Sequence, residues 1–388
     1  MKQEAFPKIL NGIRILDLTR NIAGPVATMM AAEMGADVIK VEPPDGDEMR
    51  TWPPFVDGQS VYFISCNRGK RSISLDLKSE EGKALFMQLL DHTDVLVENY
   101  RPNTLEKLGL GWDQLKLTYP KLVWVSVSGY GRSGPKAQAP AYDSMIQAYS
   151  GIMGITGEKD GAPVRGGGSP IDIATSYLAW GAIMTGIHSL QQTGKGLILE
   201  VSLMESALGF MHAYLQGCLV NATLAPRMGS ETMGMYPMGA FLTKDSNHCL
   251  VQVSNQIQWV KFCEVLNAPE LGDDSRFKTN PDRVKNRDEL RPLIQNYLKL
   301  KSSAEWEVVF TNAGVPASQV RTVEEVINNN QVIARDMIKN VRLPNGKDIK
   351  TWGLPIKINE QSATDIYAIP NLDQHRNEII AELEKLRH

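Results

Sequence analysis

Apolar and β-branched residues in the first 130 positions fall into short runs separated by longer stretches with helical spacing. Ile13 to Leu18, Val38 to Val41, Ser72 to Leu77, Val95 to Val97 and Leu122 to Val127 read as strands. Between them, Val26 to Met34 reads as a helix stopped by Gly35. A second helix starts near Ser79 and carries Ala84, Leu85, Leu89 and Leu90 on one side. Strands alternating with helices predict an α/β protein with a parallel sheet and crossover connections. Such sheets gather ligands at the carboxyl ends of their strands. The loops there are Thr19 to Pro25, Glu42 to Trp52, Glu98 to Asn103 and Ser128 to Pro135.

The pattern then turns helical. Tyr142 to Met153 predicts one helix. The loop Gly166-Gly167-Gly168-Ser169 leads into Pro170, a residue favoured at the first helical position. That helix runs to about Gln191 and is closed by Gly194-Lys195-Gly196. Leu197 to Val201 predicts a further strand, and Met204 to Leu219 a further helix. Composition shifts near Asn221. Met and Gly crowd Met228 to Gly239, which suggests a mobile linker, with Met233-Gly234-Met235 as a candidate lid. Ala240 to Val326 reads as a smaller α+β unit, with the strand Leu250 to Val253 and helices near Trp259 and Trp306. Short strands and a charged helix, Arg376 to Arg387, close the chain.

At 388 residues the chain exceeds what one hydrophobic core usually serves, so two domains are expected. Hydrophobic residues at 43% and charged residues at 22% describe an ordinary globular protein. The net charge of −3 offers no global attraction for nucleic acid or an anionic membrane, so any anion site must be local. Cys66, Cys218, Cys249 and Cys263 are widely spaced, form no CxxC pair and have no histidine at metal-ligand spacing; they read as reduced, mostly buried thiols. Met1 to Lys8 has no apolar signal core, and no apolar run approaches the ~20 residues a membrane span needs. The expectation is a cytoplasmic enzyme without a metal.

Several familiar chemistries find no support. No GxGxxG follows the first strand, and GxxxxGK[ST], HExxH and GxSxG are all missing. The six histidines are scattered, and His188 and His212 lie in apolar helical stretches that suggest packing. Asp172 is more informative. It sits in the first turn of a helix, after a glycine-rich loop, where free N–H groups and the helix dipole favour an anion. An ionised carboxylate there is a usable nucleophile toward a thioester carbonyl, and the glycine N–H groups are candidate oxyanion donors. An acidic residue in a first turn is also a common device for helix stability alone. Arg50, Lys78, Arg101 and Lys107 follow predicted strands and together suit the phosphates of a nucleotide-like ligand, although each singly is also what a solvated surface looks like.

Read together, Asp17-Leu18-Thr19, Ala23-Gly24-Pro25, Gly35-Ala36-Asp37-Val38-Ile39-Lys40-Val41-Glu42, Val97-Glu98-Asn99-Tyr100, Ser128-Gly129-Tyr130-Gly131, Asp172-Ile173-Ala174-Thr175 and Gln374-His375 resemble the class III CoA-transferase family. That family includes formyl-CoA transferase and the carnitine CoA-transferases. The resemblance runs in order along nearly the whole chain. It implies a Rossmann-like large domain built from both ends of the chain (1–220 and 327–388) and a smaller domain from the middle (221–326). It also implies ring-shaped subunits interlocked as a homodimer.

The resemblance makes Asp172 the covalent nucleophile of a reaction moving CoA from an acyl-CoA to a carboxylic acid. It carries CoA contacts onto Ile22, Ala23, Leu75, Lys78, Asn99, Tyr100, Arg101, Lys107 and Tyr142. Lys107 stands where formyl-CoA transferase has arginine, which forfeits bidentate phosphate geometry. Ile22 replaces a glutamine of the oxalate-using member, which argues against oxalate-type recognition. Acyl-CoA and a small carboxylic acid are the implied substrates, with no permanently bound cofactor. The same fold includes α-methylacyl-CoA racemases, whose Gly-His-Asp pattern is Ala141-Tyr142-Asp143 here. Tyrosine, with a reference pKa near ~10, is a poor base at neutral pH. A CoA-binding protein without catalysis is the other alternative, and Asp172 argues against it. Arg50-Thr51-Trp52-Pro53-Pro54-Phe55 and the overall pattern look closest to the succinyl-CoA:glutarate branch, with Arg50 as the expected partner of a dicarboxylate's distal carboxylate.

Overall fold

The computed structural model describes residues 6–221, 226–363 and 367–386. The readings at Met1 to Ala5 and at Arg387 lie outside these residues, and the composition change near Asn221 abuts the stretch 222–225, which also lies outside them. Contacts divide the chain into two units. One comprises 1–150, 166–219 and 330–388; the other comprises 151–165 and 220–329. The segment 151–165 thus joins the second unit, whereas the sequence reading leaves it in the large domain.

In the first unit, six strands form one parallel sheet: β1 (Arg14–Asp17), β2 (Asp37–Glu42), β3 (Arg71–Ser74), β4 (Val95–Glu98), β5 (Val123–Ser128) and β6 (Ile198–Ser202). Their spatial order is β3-β2-β1-β4-β5-β6. This is the doubly wound order, in which the direction of winding reverses between β1 and β4. Every residue of β4 and β5 is buried, as a sheet covered on both faces requires. On one face lie α1 (Ala23–Glu33) and the long α4 (Pro170–Thr193); α4 comes against β5 at Gly186, where a Cβ would stand 2.3 Å from Val123 Cγ1. The helix α2 (Glu80–Leu90), capped by the Ser79 hydroxyl, packs Phe86, Leu89 and Leu90 into the opposite core.

The expected helix over 142–153 is broken. It forms α3 (Asp143–Ser150) and a separate turn, Ile152–Ile155, parted by Gly151 at φ 99°. Likewise the expected helix 204–219 becomes α5 (Leu203–Phe210) and a second piece, His212–Asn221. His188 and His212 are exposed in the single chain and do not pack as expected.

The C-terminus returns to the edge of the large sheet. His375 accepts the Ser72 N–H through Nδ1 and donates its own N–H to the Ser72 carbonyl, while Asp373 accepts from Ser74. The final helix, α9 (Arg376–Leu386), supplies Glu378 and Glu382 to Arg71, with Glu382 also reaching Arg14. These bonds cover the otherwise open edge of β3.

The second unit has its own three-stranded antiparallel sheet, with β8 (His248–Gln252) between β7 (Met238–Leu242) and β9 (Ala317–Gln319). Helices α6 (Gln256–Leu266), α7 (Arg287–Leu298) and α8 (Ser303–Ala313) cover it around stacked Trp259, Phe262, Phe310 and Trp306. The Met- and Gly-rich stretch is tethered. Arg287 donates to the carbonyls of Thr232 and Met233, Asn280 donates to that of Gly234, and Glu231 pairs with Arg287 and Arg291. Nothing in this bonding marks it as a free lid.

Candidate active site

The switch point between β1 and β4 is shaped by side chains that fold its loops back on themselves. Asn99, just beyond β4, accepts the Arg20 N–H at 2.9 Å and donates to the Arg20 carbonyl at 2.8 Å, locking the loop after β1 to the loop after β4. Glu98, buried at the end of β4, accepts from the Tyr100 N–H at 2.8 Å and the Trp124 indole at 3.2 Å. Burial raises its carboxyl pKa against these donors and the Arg132 charge. Arg132 bridges Glu98 and Glu106, tying the loop after β5 to the same corner.

These loops enclose a cavity of about 180 Å³ lined by Asn21, Asn99, Tyr100, Arg101, Pro102, Ser128, Gly129 and Tyr142, among others. Four expected CoA contacts, Asn99, Tyr100, Arg101 and Tyr142, therefore meet in one place. Ile22 and Ala23 head α1 directly after Asn21, with Ala23 buried. Leu75 lines a different hollow, of about 160 Å³, beyond β3, and Lys78 is exposed near it. Lys107 is exposed at the end of the short helix Thr104–Lys107.

Arg50 does not have the place expected of it. Its guanidinium donates to both Glu42 oxygens at 2.7 Å and to the Pro370 carbonyl at 3.1 Å, and lies 3.7 Å over the Phe63 ring. Glu42 is buried, so the fork that would hold a distal carboxylate already holds an internal one.

Asp172 stands at the third position of α4, with the preceding Ser169 at φ 54° and making no side-chain cap. The helix N-terminus does not hold its carboxylate in the way the sequence suggests. Asp143, 5% exposed at the head of α3, takes that place: its Oδ2 accepts the N–H groups of Ile171 at 2.8 Å and Asp172 at 3.1 Å. Its Oδ1 accepts from the Gln147 amide, and Gln147 Oε1 accepts the Gly166 N–H at 2.8 Å. Burial, and then the Asp143 charge, push the Asp172 carboxyl up to about 7. The group is thus a carboxyl that ionises less readily, and is more basic, than an exposed aspartate. With Gly166 committed to Gln147, the remaining loop donors are Gly167 and Gly168, both exposed.

Asp143, Gln147, Asn21 and Arg132 were not singled out by the sequence. In the sequence Asp143 stands beside Tyr142 only as the last member of a Gly-His-Asp pattern that lacks its histidine. A sequence separation of 28 from Ile171 hides the capping contact.

A doubly wound sheet with a cleft at its winding reversal, and a carboxyl of raised pKa at a helix head, defines an α/β protein whose ligand site lies at the strand ends. The profile of CoA-transferase family III matches residues 10–376, and the chain belongs to that family. It is 36% identical over 378 residues to succinyl-CoA:glutarate CoA-transferase of Mus musculus, covering 97% of this chain and 86% of that one. Succinate–glutarate CoA-transferase of Agrobacterium fabrum is 35% identical over 386 residues, covering 97% and 96%. Among solved structures, a CAIB/BAIF family protein from Brucella suis matches with a TM-score of 0.86 and 34% identity over 98% of this chain and 100% of that one. The chain is a class III CoA-transferase.

Proposed function

We propose that this enzyme moves CoA from succinyl-CoA or a similar donor to a dicarboxylic acid, through covalent intermediates on Asp172. The observation that carries the mechanism is the basic, part-buried carboxyl at the head of α4. The Asp172 carboxylate attacks the donor thioester carbonyl, giving a mixed anhydride and CoA thiolate. The thiolate attacks the aspartyl carbonyl, releasing the donor acid and leaving an aspartyl-CoA thioester. The acceptor carboxylate attacks that thioester and expels CoA thiolate. The thiolate then takes the acceptor acyl group from the second anhydride, and Asp172 returns to carboxylate. Each step exchanges one activated acyl bond for another, so the protein's tasks are to hold the reactants, exclude water and stabilise oxyanions.

CoA would lie across the strand ends, with Asn99, Tyr100, Arg101 and Tyr142 around the cavity, Ile22 and Ala23 beside it, and Leu75, Lys78 and Lys107 along the rim. Support comes from the shared cavity and from the exposed cations at Lys78, Arg101 and Lys107, which suit phosphates. The dicarboxylate reading rests on the named relatives, since Arg50 is spent on Glu42. A racemase reading is disfavoured by the phenol of Tyr142, 52% exposed, at the place of the family's histidine.

The interlocked homodimer belongs to the same reading. Large apolar side chains stand exposed on α3 (Met145, Tyr149), α4 (Tyr177, Leu178) and α5 (Phe210), more than a monomer ordinarily leaves in water. Incubation of succinyl-CoA with isotopically labelled glutarate, and with monocarboxylates of similar length, tests the substrate class. Labelled glutaryl-CoA as the dominant product supports it, and preferential transfer to the monocarboxylates would remove it.

A further inference from the structure

The carboxylate of Asp143 is a buried negative charge that the transfer mechanism above does not use. Its two oxygens are fully assigned: one to the first-turn N–H groups of Ile171 and Asp172, the other to Gln147, which in turn holds Gly166. This relay fastens both ends of the Gly167-Gly168-Ser169 bend, from a helix whose preceding residue, Tyr142, lines the cavity. Ser169 and Gly168 lie in the left-handed region, at φ 54° and 74°, a bend that has to be held from outside. A helix of this length would ordinarily be capped by its own flanking side chain; here the cap is borrowed from α3.

Resting on Asp172 as nucleophile, we propose that Asp143 is a positioning residue for transfer. It clamps the turn that carries Asp172, and its fixed charge disfavours the anionic resting nucleophile relative to the neutral covalent states. Asp172 is an anion before attack and is neutral as anhydride and as CoA thioester. Repulsion from Asp143 is therefore felt in the resting state and relieved on acylation. By occupying the helix N-terminus, Asp143 also denies Asp172 the N–H donors that would stabilise its anion and dull its nucleophilicity. The raised Asp172 carboxyl agrees with this arrangement.

The test compares Asp143→Asn, Gln147→Leu and Asp172→Asn, each confirmed folded by circular dichroism. In D143N the acid limb of kcat/KM should move at least about one pH unit lower. The fraction of enzyme trapped as CoA adduct at equilibrium with acyl-CoA should fall roughly tenfold, with KM for acyl-CoA within about twofold. Q147L keeps the charge but loosens its hold, so its acid limb should stay in place while kcat falls. An unmoved acid limb and an unchanged adduct fraction in folded D143N would overturn the role of Asp143. If D172N still transfers CoA, the nucleophile assignment fails instead, whatever D143N does.

Discussion

The head of α4 brings two carboxyl groups together where the sequence points to one. The helix N-terminus does attract an anion, but the one it holds is Asp143, and Asp172 is left part-buried beside that charge. The pH consequences follow from the sign. An Asp172 carboxyl raised to about 7 when folded, against 3.8 when exposed, binds a proton in the native state that the unfolded chain has already lost. Ionising it therefore costs stability progressively as pH rises from about 4 to about 7, and the deficit stays constant above that. Asp172→Asn should be more stable than the wild type by about 2–4 kcal/mol at pH 8, with the gap closing below pH ~4, as read by urea denaturation. Equal stability at both pH values would show that the carboxyl is not raised. With Asp172 as the proposed nucleophile, kcat/KM of the native enzyme should fall about tenfold per unit as pH drops below about 7, because only its anion would attack. A flat profile down to pH 5 would contradict this.

At the scale of elements, the end of the sheet is held by buried ion pairs rather than by packing alone. Lys70, wholly buried, donates to Asp17 at the end of β1, to the Pro25 carbonyl in α1 and to Asn67, so a single ammonium joins β1, α1 and the segment entering β3. Burial alone would raise the Asp17 carboxyl, but Lys70 and then Lys40 bring it down to about 2. Burial lowers Lys70 to about 8 in spite of Asp17. Lys70→Met leaves Asp17 charged and short of a partner, and should cost ~3–5 kcal/mol in denaturant unfolding. Adding Asp17→Asn should recover part of that loss; a double variant as unstable as the sum of both singles would show that the two residues act independently. The elements themselves were largely legible. Periodic runs placed β1 to β6 within a few residues, and Pro170 and Gly194 bounded α4, since local propensity and tertiary packing agree there. The breaks at Gly151 and Met211 were not foreseen, because continuous apolar spacing conceals a change of direction. The sequence shows the loop of Arg50 but not Glu42, eight residues earlier, turned to meet it.

Over the whole molecule, the chain leaves the large unit and returns to close its sheet edge. Gln374-His375, conspicuous in the sequence as part of a family pattern, lies at the β3 edge, where His375 bonds Ser72 and makes a seam. The exposed apolar side chains of α3, α4 and α5 belong to the same scale. If subunits interlock, separation requires unfolding, and activity per subunit should not fall on dilution to nanomolar concentrations. An active monomer by sedimentation velocity at such dilution would contradict the interlocked dimer.

The central claim is that Asp172 carries the acyl group and then CoA. It is tested most directly by mixing enzyme with succinyl-CoA, trapping with hydroxylamine and mapping the product by peptide mass spectrometry. The account predicts a hydroxamate on Asp172 alone, formed only when acyl-CoA is present. A hydroxamate on another carboxylate, or steady transfer without any trapped residue, would contradict it.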